Sequence, residues 1–159
     1  MVNLPRHRLF VNPDDEGVDR NILFNGTYEP TETRLFELIL RPGMRFVDVG
    51  AHVGYYTTLG AKLVGAGGEV VAIEPAPANN ALLRKNIESN NLSNVLVHNV
   101  AVSSESSVQE MYLHPTSTGA NRLFKTLSPS MDRVTVDTVT LDHLLRDNRA
   151  FDVIKIDIE

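Results

Sequence analysis

Short runs of β-prone apolar residues alternate along the chain with segments whose apolar residues recur at helical spacing. Four such runs predict buried strands at residues 46–49, 69–74, 95–102 and 152–158. Helical periodicity predicts helices at residues 31–40, 54–64 and 77–90, and a short one capped by Thr140. Strands that alternate with helices form β-α-β units, whose strands are parallel and whose crossovers are right-handed. The pattern therefore predicts an α/β fold with a mostly parallel sheet.

Two segments depart from this alternation. Residues 1–25 carry proline, aspartate pairs and scattered apolar positions, which predict short strands or an arm rather than a long helix. Residues 103–131 are rich in Ser, Thr, Pro and Gly, with a short alternating piece at 108–113. That length exceeds an ordinary connection in a compact domain, so we predict an inserted hairpin with a mobile loop, or a substrate-facing flap. Val134, Val136 and Val139 predict a returning strand.

These elements predict a single but incomplete domain over residues 1–159. Its parts are an N-terminal arm and lead-in helix (1–40), a cofactor-binding β-α-β-α-β core (41–102), an inserted hairpin or loop (103–139), and a helix with the active-site strand (140–159). The strand at 152–158 reads as a central parallel strand, yet no helix follows to cover it. We therefore expect a Rossmann-like sheet truncated after its fourth core strand.

The sequence Phe-Val-Asp-Val-Gly-Ala-His-Val-Gly-Tyr-Tyr at 46–56 predicts a buried strand, a glycine-bounded turn and a helix start, which is the layout of a nucleotide-cofactor loop. Gly50 permits a sharp turn, and Gly54 begins the helix. A dinucleotide fingerprint needs Gly-x-Gly-x-x-Gly, but His52 and Tyr55 occupy its second and third glycine positions. Their rings fill the space that a pyrophosphate needs, so the loop favours S-adenosyl-L-methionine, which has no phosphate.

Four further residues are candidates to contact this cofactor. Glu74 ends the second strand, where an acidic side chain accepts hydrogen bonds from both hydroxyls of an adenosine ribose. Since NAD also presents a ribose diol, Glu74 does not separate the two cofactors. Ala101 and Val102 lie at the carboxyl edge of the sheet and either flank the adenine or belong to the sheet core. Tyr28 either folds over the methionine end or belongs to an ordinary turn.

The best-placed catalytic group is Asp157, at the carboxyl end of the last predicted strand. An alcohol acceptor loses its proton as it attacks the methyl group, so Asp157 is a candidate general base or acceptor-orienting group. Strand alternation puts Lys155 on the same face, about 6.5 Å away, where it would tune this carboxylate. The alternative is a plain ion pair at a sheet end. Asp157 and Glu159 offer oxygen ligands for Mg²⁺, but two carboxylates are too few to predict a metal site.

Composition narrows the classes of partner. The chain is 42% hydrophobic, as in soluble globular proteins, and its net charge of −5 with no long basic run argues against nucleic acid. It has no cysteine, which excludes disulfides and thiolate metal sites and fits a reducing cytoplasm. No apolar run has the length of a signal core or a membrane span. We therefore expect a cytoplasmic protein that acts on a small-molecule or saccharide acceptor, with neither nucleic acid nor membrane as a partner.

Five ordered pieces carry a family resemblance: Gly26-Thr-Tyr-Glu-Pro30, Asp48-Val-Gly-Ala-His-Val-Gly-Tyr-Tyr-Thr57, Glu74-Pro75 with Leu83 and Asn86, Thr140-Leu-Asp142, and Lys155-Ile-Asp-Ile-Glu159. Together they resemble the FkbM-type S-adenosylmethionine-dependent methyltransferases. The resemblance implies a Rossmann-like class I methyltransferase fold and methylation of a hydroxyl oxygen on a sugar or natural product. The loop and the resemblance together give these cofactor-binding candidates: Tyr28, Asp48, Gly50, Ala51, His52, Gly54, Tyr55, Glu74, Pro75, Ala101 and Val102.

The chain departs from the family pattern in two places, and two rival functions stay open. The family usually has asparagine where this chain has His52, and it continues through a glycine after the final acidic residue. The first rival is an NAD(P)-dependent oxidoreductase, which shares the β-α-β unit and the acidic ribose ligand. His52 in place of a glycine and the absence of a recognisable set of hydride-transfer residues in the sequence argue against it. The second is a truncated, non-catalytic module that binds the cofactor and transfers nothing.

Overall fold

The computed structural model describes residues 1–124, 131–146 and 150–158. Its strands are β1 (Val2–Asn3), β2 (Arg8–Leu9), β3 (Arg45–Val49), β4 (Glu69–Ile73), β5 (Val95–His98), β6 (Ala101–Val102), β7 (Ser107–Leu113), β8 (Asp132–Val139) and β9 (Val153–Ile156). Its helices are α1 (Val18–Asn25), α2 (Pro30–Ile39), α3 (Tyr55–Val64), α4 (Pro77–Ser89) and α5 (Leu141–Leu144), and a 3-10 turn lies at Thr118–Ala120. Within these ranges, no helix is both long and apolar enough to cross a membrane.

The core is a four-stranded parallel sheet in the order β5-β4-β3-β9. Strand β3 lies between β4 and β9, and all five of its residues are buried. In its register, Val47 pairs with Val71 on one side and with Ile154 on the other. The helix-strand alternation of the sequence predicted this arrangement, and the predicted α/β fold with a mostly parallel sheet is confirmed.

Apolar residues on β3 and β4 cover both faces of the sheet. Phe46 and Val70 join a cluster with Leu59 and Val64 of α3, while Val47 and Val71 belong to a second cluster against α5. Successive strand residues point to opposite faces, so a run that is apolar at nearly every position is buried on both sides. This is why the short apolar runs predict central strands.

The N-terminal arm is held on α4 by two buried asparagines one helical turn apart. Phe10 donates its N–H to Asn86 Oδ1 at 2.6 Å, and Asn86 Nδ2 donates to the Phe10 carbonyl at 2.9 Å. Asn90 makes the same reciprocal pair with the Arg8 backbone, at 3.0 and 2.7 Å. The two side-chain amides thus make the reciprocal hydrogen bonds to the arm backbone that a neighbouring strand would make. The arm also contains an eight-residue helix, α1, which the sequence did not predict.

The third predicted strand, at 95–102, is divided between two sheets. Strand β5 pairs with β4, whereas β6 leaves the core and pairs in parallel with β8. Between them, Asn99 Nδ2 donates to the backbone carbonyls of Glu74 and Pro75, which diverts the chain from the sheet edge. Prediction of one continuous strand was therefore wrong.

The inserted segment is built on a hairpin. Strands β7 and β8 pair in antiparallel fashion from Ser107 with Thr138 to Leu113 with Asp132, and β6 completes a second sheet in the order β6-β8-β7. The predicted hairpin and returning strand are therefore both present. The predicted mobile loop falls partly on residues 125–130, which lie outside the described residues.

Candidate active site

A cavity of about 430 Å³ opens at the carboxyl ends of β3, β4 and β9. Its volume lies within the range of about 300–1,000 Å³ that is typical of small-molecule sites. The predicted site residues that line it are Tyr28, Gly50, Ala51, His52, Tyr55, Glu74, Pro75, Ala101, Val102, Lys155 and Asp157. The other two predicted residues, Asp48 and Gly54, lie behind the wall and support residues within it. The fold thus brings positions that are far apart in the sequence to one place.

The turn after β3 depends on two glycines. Gly50 has a φ of +79°, and a Cβ at this position would collide with the backbone carbonyl oxygen of Asp157. Gly54 has a φ of +92°, and a Cβ there would lie 2.6 Å from Leu83 Cδ1 of α4. The first glycine therefore lets the end of β9 approach the loop, and the second lets α4 approach the start of α3. Both close approaches support the cavity floor.

Glu74 is buried in the cavity wall, with 6% of its surface exposed. Its Oε2 accepts the His52 backbone N–H at 2.9 Å, and its Oε1 accepts the Ala76 N–H at 2.9 Å. Burial raises the pKa of Glu74 to about 7, against the opposing effect of these hydrogen bonds. Two backbone amides thus fix the direction of the carboxyl group. Oε1 also accepts from Asn79 Nδ2 at 3.5 Å, whereas Oε2 keeps a second lone pair for another donor.

His52 adopts a left-handed backbone conformation, with a φ of +52°. Its ring Nε2 lies 2.7 Å from Thr118 Oγ1 of the inserted segment, and its Nδ1 lies 3.6 Å from Asp19 Oδ1 of α1. Burial lowers the pKa of His52 to about 4 and raises that of Asp19 to about 7. The ring nitrogens therefore face neighbouring protein groups. Sequence reasoning missed Asp19 and Thr118, because nothing local relates residue 52 to either segment.

Lys155 lies between two carboxylates. Its Nζ is 3.3 Å from Asp48 Oδ1 and 3.6 Å from Asp157 Oδ2. Asp48 is fully buried and accepts a hydrogen bond from the Thr57 hydroxyl at 2.6 Å, whereas the Asp157 side chain is 61% exposed. Burial acts to lower the pKa of Lys155, but the two carboxylates outweigh it and hold that pKa above its ordinary value. Lys155 is thus a fixed cation beside Asp157, as strand alternation predicted.

Aromatic rings form the wall next to this ion pair. Tyr28 packs edge-on against Tyr55, with ring centroids 5.9 Å apart, and against Tyr56 at 6.3 Å. The Tyr56 hydroxyl donates to Glu29 Oε2 at 2.9 Å. Burial raises the pKa of Tyr28 to about 12, so this phenol stays neutral. The sequence predicted Tyr28 and Tyr55 here but not Tyr56 or Glu29, although all four lie in the quoted family segments.

The opposite end of the cavity is apolar and includes part of the insert. Ala101 of β6 and Met111 of β7 are buried in one apolar cluster, and Leu123 packs against it. All three residues line the cavity. Met111 and Leu123 were not predicted, because their position depends on how the hairpin folds back. Among the described residues, no group of three His, Asp or Glu side chains is arranged to hold a metal ion. Glu159, considered above as a metal ligand, lies outside them.

Comparison with known proteins places this site in context. The chain is 35% identical over 96 residues to a protein-L-isoaspartate O-methyltransferase of Aeropyrum pernix, a match that covers 55% of this chain and 36% of the relative. It is 43% identical over 56 residues to protein-L-isoaspartate O-methyltransferase 1 of Arabidopsis thaliana, covering 35% and 24%. The matches therefore span about a third or less of these relatives' lengths.

Among solved structures, a SAM dependent methyltransferase from Aquifex aeolicus aligns with a TM-score of 0.43 and 28% identity, over 57% of this chain and 45% of that one. The family described as "Methyltransferase FkbM domain" matches residues 48–159, which is more than half of the chain. That range includes the cofactor loop, Glu74, Lys155 and Asp157. The chain belongs to the FkbM methyltransferase domain family.

Proposed function

We propose that this chain binds S-adenosyl-L-methionine in the cavity and transfers its methyl group to a hydroxyl oxygen of a sugar or another small natural product. Membership in a methyltransferase family implies this cofactor. The observation that supports the proposal most directly is the meeting of the cofactor loop, Glu74 and Asp157 at one cavity. The nature of the acceptor rests on the chemistry of Asp157 and on the resemblance given above.

The residues present fit this cofactor. Glu74 Oε2 has an acceptor lone pair free for a ribose hydroxyl, and the orientation of the carboxyl group is fixed by two backbone amides. The tyrosines near Lys155, together with Glu29 and Asp157, suit a cationic sulfonium, since aromatic faces and carboxylates attract cations. Ala101, Met111 and Leu123 offer an apolar surface for an adenine. When bound, S-adenosylmethionine supplies an electrophilic methyl carbon.

The chain's own contribution to the reaction is positioning and proton removal. Holding the acceptor oxygen and the methyl carbon at near-attack distance accounts for most of the expected acceleration. Asp157 accepts the proton of the acceptor hydroxyl, and the Lys155 ammonium, 3.6 Å away, keeps that carboxylate in place. Because Lys155 is itself anchored by the buried Asp48, its ammonium is held near Asp157.

A carboxyl acceptor is the second candidate, because the chain is similar to proteins named protein-L-isoaspartate O-methyltransferase. A carboxylate is already ionised at neutral pH and needs no general base. The role of Asp157 therefore separates the two candidates.

The first test is calorimetric titration with S-adenosylhomocysteine and separately with NAD. We expect S-adenosylhomocysteine alone to bind. At pH 8, above the Glu74 pKa of about 7, Glu74→Gln should weaken its affinity at least about tenfold, since a carboxylate acceptor makes a charge-assisted hydrogen bond. Glu88→Gln, an exposed change on α4, is the matched control and should leave affinity unchanged. Binding of NAD alone would favour the oxidoreductase instead. A folded protein that binds neither ligand would contradict the proposed cofactor site.

The second test is methyl transfer from S-adenosylmethionine to a panel of sugars, followed by mass spectrometry. We expect Asp157→Asn to reduce transfer to a hydroxyl by about a hundredfold or more, the range of a lost general base. Affinity for S-adenosylhomocysteine should change little. Asp137→Asn, an exposed change on β8, is the control. If Asp157→Asn transfers methyl groups as fast as the unaltered protein, a carboxyl acceptor is favoured. If the unaltered protein binds the cofactor but transfers nothing, the non-catalytic module is favoured.

A further inference from the structure

Four polar side chains from three distant segments meet beside the cofactor loop. Asp15 and Asp19 belong to the N-terminal arm, His52 to the loop, and Thr118 to the insert. His52 Nε2 lies 2.7 Å from Thr118 Oγ1, and Thr118 Oγ1 lies 2.7 Å from Asp15 Oδ2. Thr118, His52 and the adjoining residues of the insert line the cavity. The contact therefore joins three parts of its wall.

Asp15 is the fixed end of this contact. It is 2% exposed, and its two oxygens accept four hydrogen bonds. Oδ1 accepts the N–H groups of Gly17 and Asp19 at 2.9 and 3.2 Å, and Oδ2 accepts the N–H and hydroxyl of Thr118 at 2.6 and 2.7 Å. Although burial acts to raise it, these hydrogen bonds hold the pKa of Asp15 below its ordinary value. The same carboxylate thus orders the start of α1 and binds the insert.

The direction of the hydrogen bonds follows from the donors available. A carboxylate only accepts, so the single Thr118 hydroxyl proton points to Asp15. The Thr118 oxygen then accepts from His52, which requires the proton of the neutral ring to be on Nε2. A chain of donors runs from the loop through the insert to the arm. The Thr118 hydroxyl takes part in both hydrogen bonds, so its removal would break the connection between His52 and Asp15 through this group.

We propose that Asp15, Thr118 and His52 are positioning residues that hold the insert segment 117–123 against the cofactor loop and so set the shape of the cavity. This three-residue contact is called the clasp below. The segment is also attached by the paired backbones of Tyr112 and Arg122, by the Glu16 N–H on the Thr116 carbonyl, and by the His114 N–H on Asn121 Oδ1. None of these three contacts involves the cofactor loop. The clasp is thus the point at which its middle meets the loop. The inference rests on the proposed function only in taking this cavity as the reaction site.

Amide hydrogen exchange with Thr118→Val tests the clasp without any ligand. The substitution keeps the shape of the side chain but removes the hydroxyl that links His52 to Asp15. We expect exchange in residues 117–123 to accelerate at least tenfold while exchange in β3 and β4 is unchanged. Thr118→Ser keeps the hydroxyl and should restore the original rates. Thr116→Val, a change at an exposed position two residues away, is the matched control.

Titration with S-adenosylhomocysteine then tests the consequence for the cavity. We expect Thr118→Val to lower affinity about tenfold and Thr118→Ser to restore it, at an unchanged midpoint of thermal unfolding. Unchanged exchange in Thr118→Val would overturn the clasp, and faster exchange with unchanged affinity would overturn its positioning role. If the unaltered protein binds no S-adenosylhomocysteine, the proposed function fails, and the exchange result alone decides whether the clasp exists.

Discussion

His52 and Asp19 face each other inside the protein with their usual order of proton affinities reversed. Burial lowers the pKa of His52 from 6.5 to about 4 and raises that of Asp19 from 3.8 to about 7. Between pH 4 and 6.5 the folded pair therefore carries one proton, on Asp19. In the same pH range, these two residues also carry one proton in the unfolded chain, but it is on His52. Because the slope of stability with pH follows the difference in bound protons, the pair as a whole contributes almost no slope.

Removing either partner should expose a slope of opposite sign. In Asp19→Asn, the folded protein keeps His52 neutral while the unfolded chain protonates it below pH 6.5. Its free energy of unfolding should fall, relative to the unaltered protein, by about 1.4 kcal/mol per pH unit as pH decreases toward 4. In His52→Asn, only the folded protein keeps Asp19 protonated. Its free energy of unfolding should fall by a similar amount as pH rises from 4 toward 7.

Urea unfolding at half-unit intervals from pH 4.5 to 6.5 would measure both slopes. The two variants serve as controls for each other, since a general loss of stability would move both curves in the same direction. Parallel curves for all three proteins would show that His52 and Asp19 keep ordinary pKa values and that the pair is an ion pair instead.

At the scale of elements, the position of β9 depends on the loop that follows β3. The Asp157 N–H donates to the Val49 carbonyl at 3.1 Å, and the Asp157 carbonyl lies directly over Gly50. The catalytic candidate is thus fixed to the cofactor loop by its own backbone. Any side chain at residue 50 would force the two elements apart.

Gly50→Ala should therefore destabilise the protein by about 2 kcal/mol or more, since a positive φ alone costs about 1–2 kcal/mol and the collision adds to it. Because the obstacle is a backbone carbonyl, no side-chain rotation relieves it. Gly67→Ala is the control, because its new Cβ would be 4.0 Å from the nearest atom, Gly43 Cα. Denaturant unfolding measures both. Equal effects of the two substitutions would mean that β9 does not approach the loop as closely as described.

Prediction from the sequence succeeded for elements set by local patterns and failed for those set by distant contacts. The core strands carry runs that are apolar at most positions, and the loop glycines mark a turn, so both were predictable. Helix α1 was missed because its start depends on Asp15 and Gly17 rather than on a run of helix formers. The break after β5 depends on Asn99 reaching the Glu74 carbonyl, 25 residues away. His52 was predicted as a site residue, but its partner Thr118 is 66 residues away.

For the whole molecule, the cavity joins segments that belong to no common sheet. Tyr28 comes from the lead-in to α2, His52 and Glu74 from the core, and residues 117–123 from the insert. Each covers a different side of the same space. A ligand that fills the cavity must therefore contact several segments at once, and the free energy of its binding is shared among them.

Saturating S-adenosylhomocysteine should accordingly stabilise the arm, loop and insert together. At a concentration a hundredfold above Kd, the free energy of unfolding should rise by about 2.7 kcal/mol. Amide exchange should slow at residues 28, 50–54 and 117–123 in one concentration-dependent step, whereas exposed turn residues that do not line the cavity, such as 66 and 67, should not respond. In Thr118→Val the loop should still be protected and the insert should not. Protection confined to the loop in the unaltered protein would mean that the insert does not close the cavity around its ligand, because a shared binding energy cannot leave one wall unaffected.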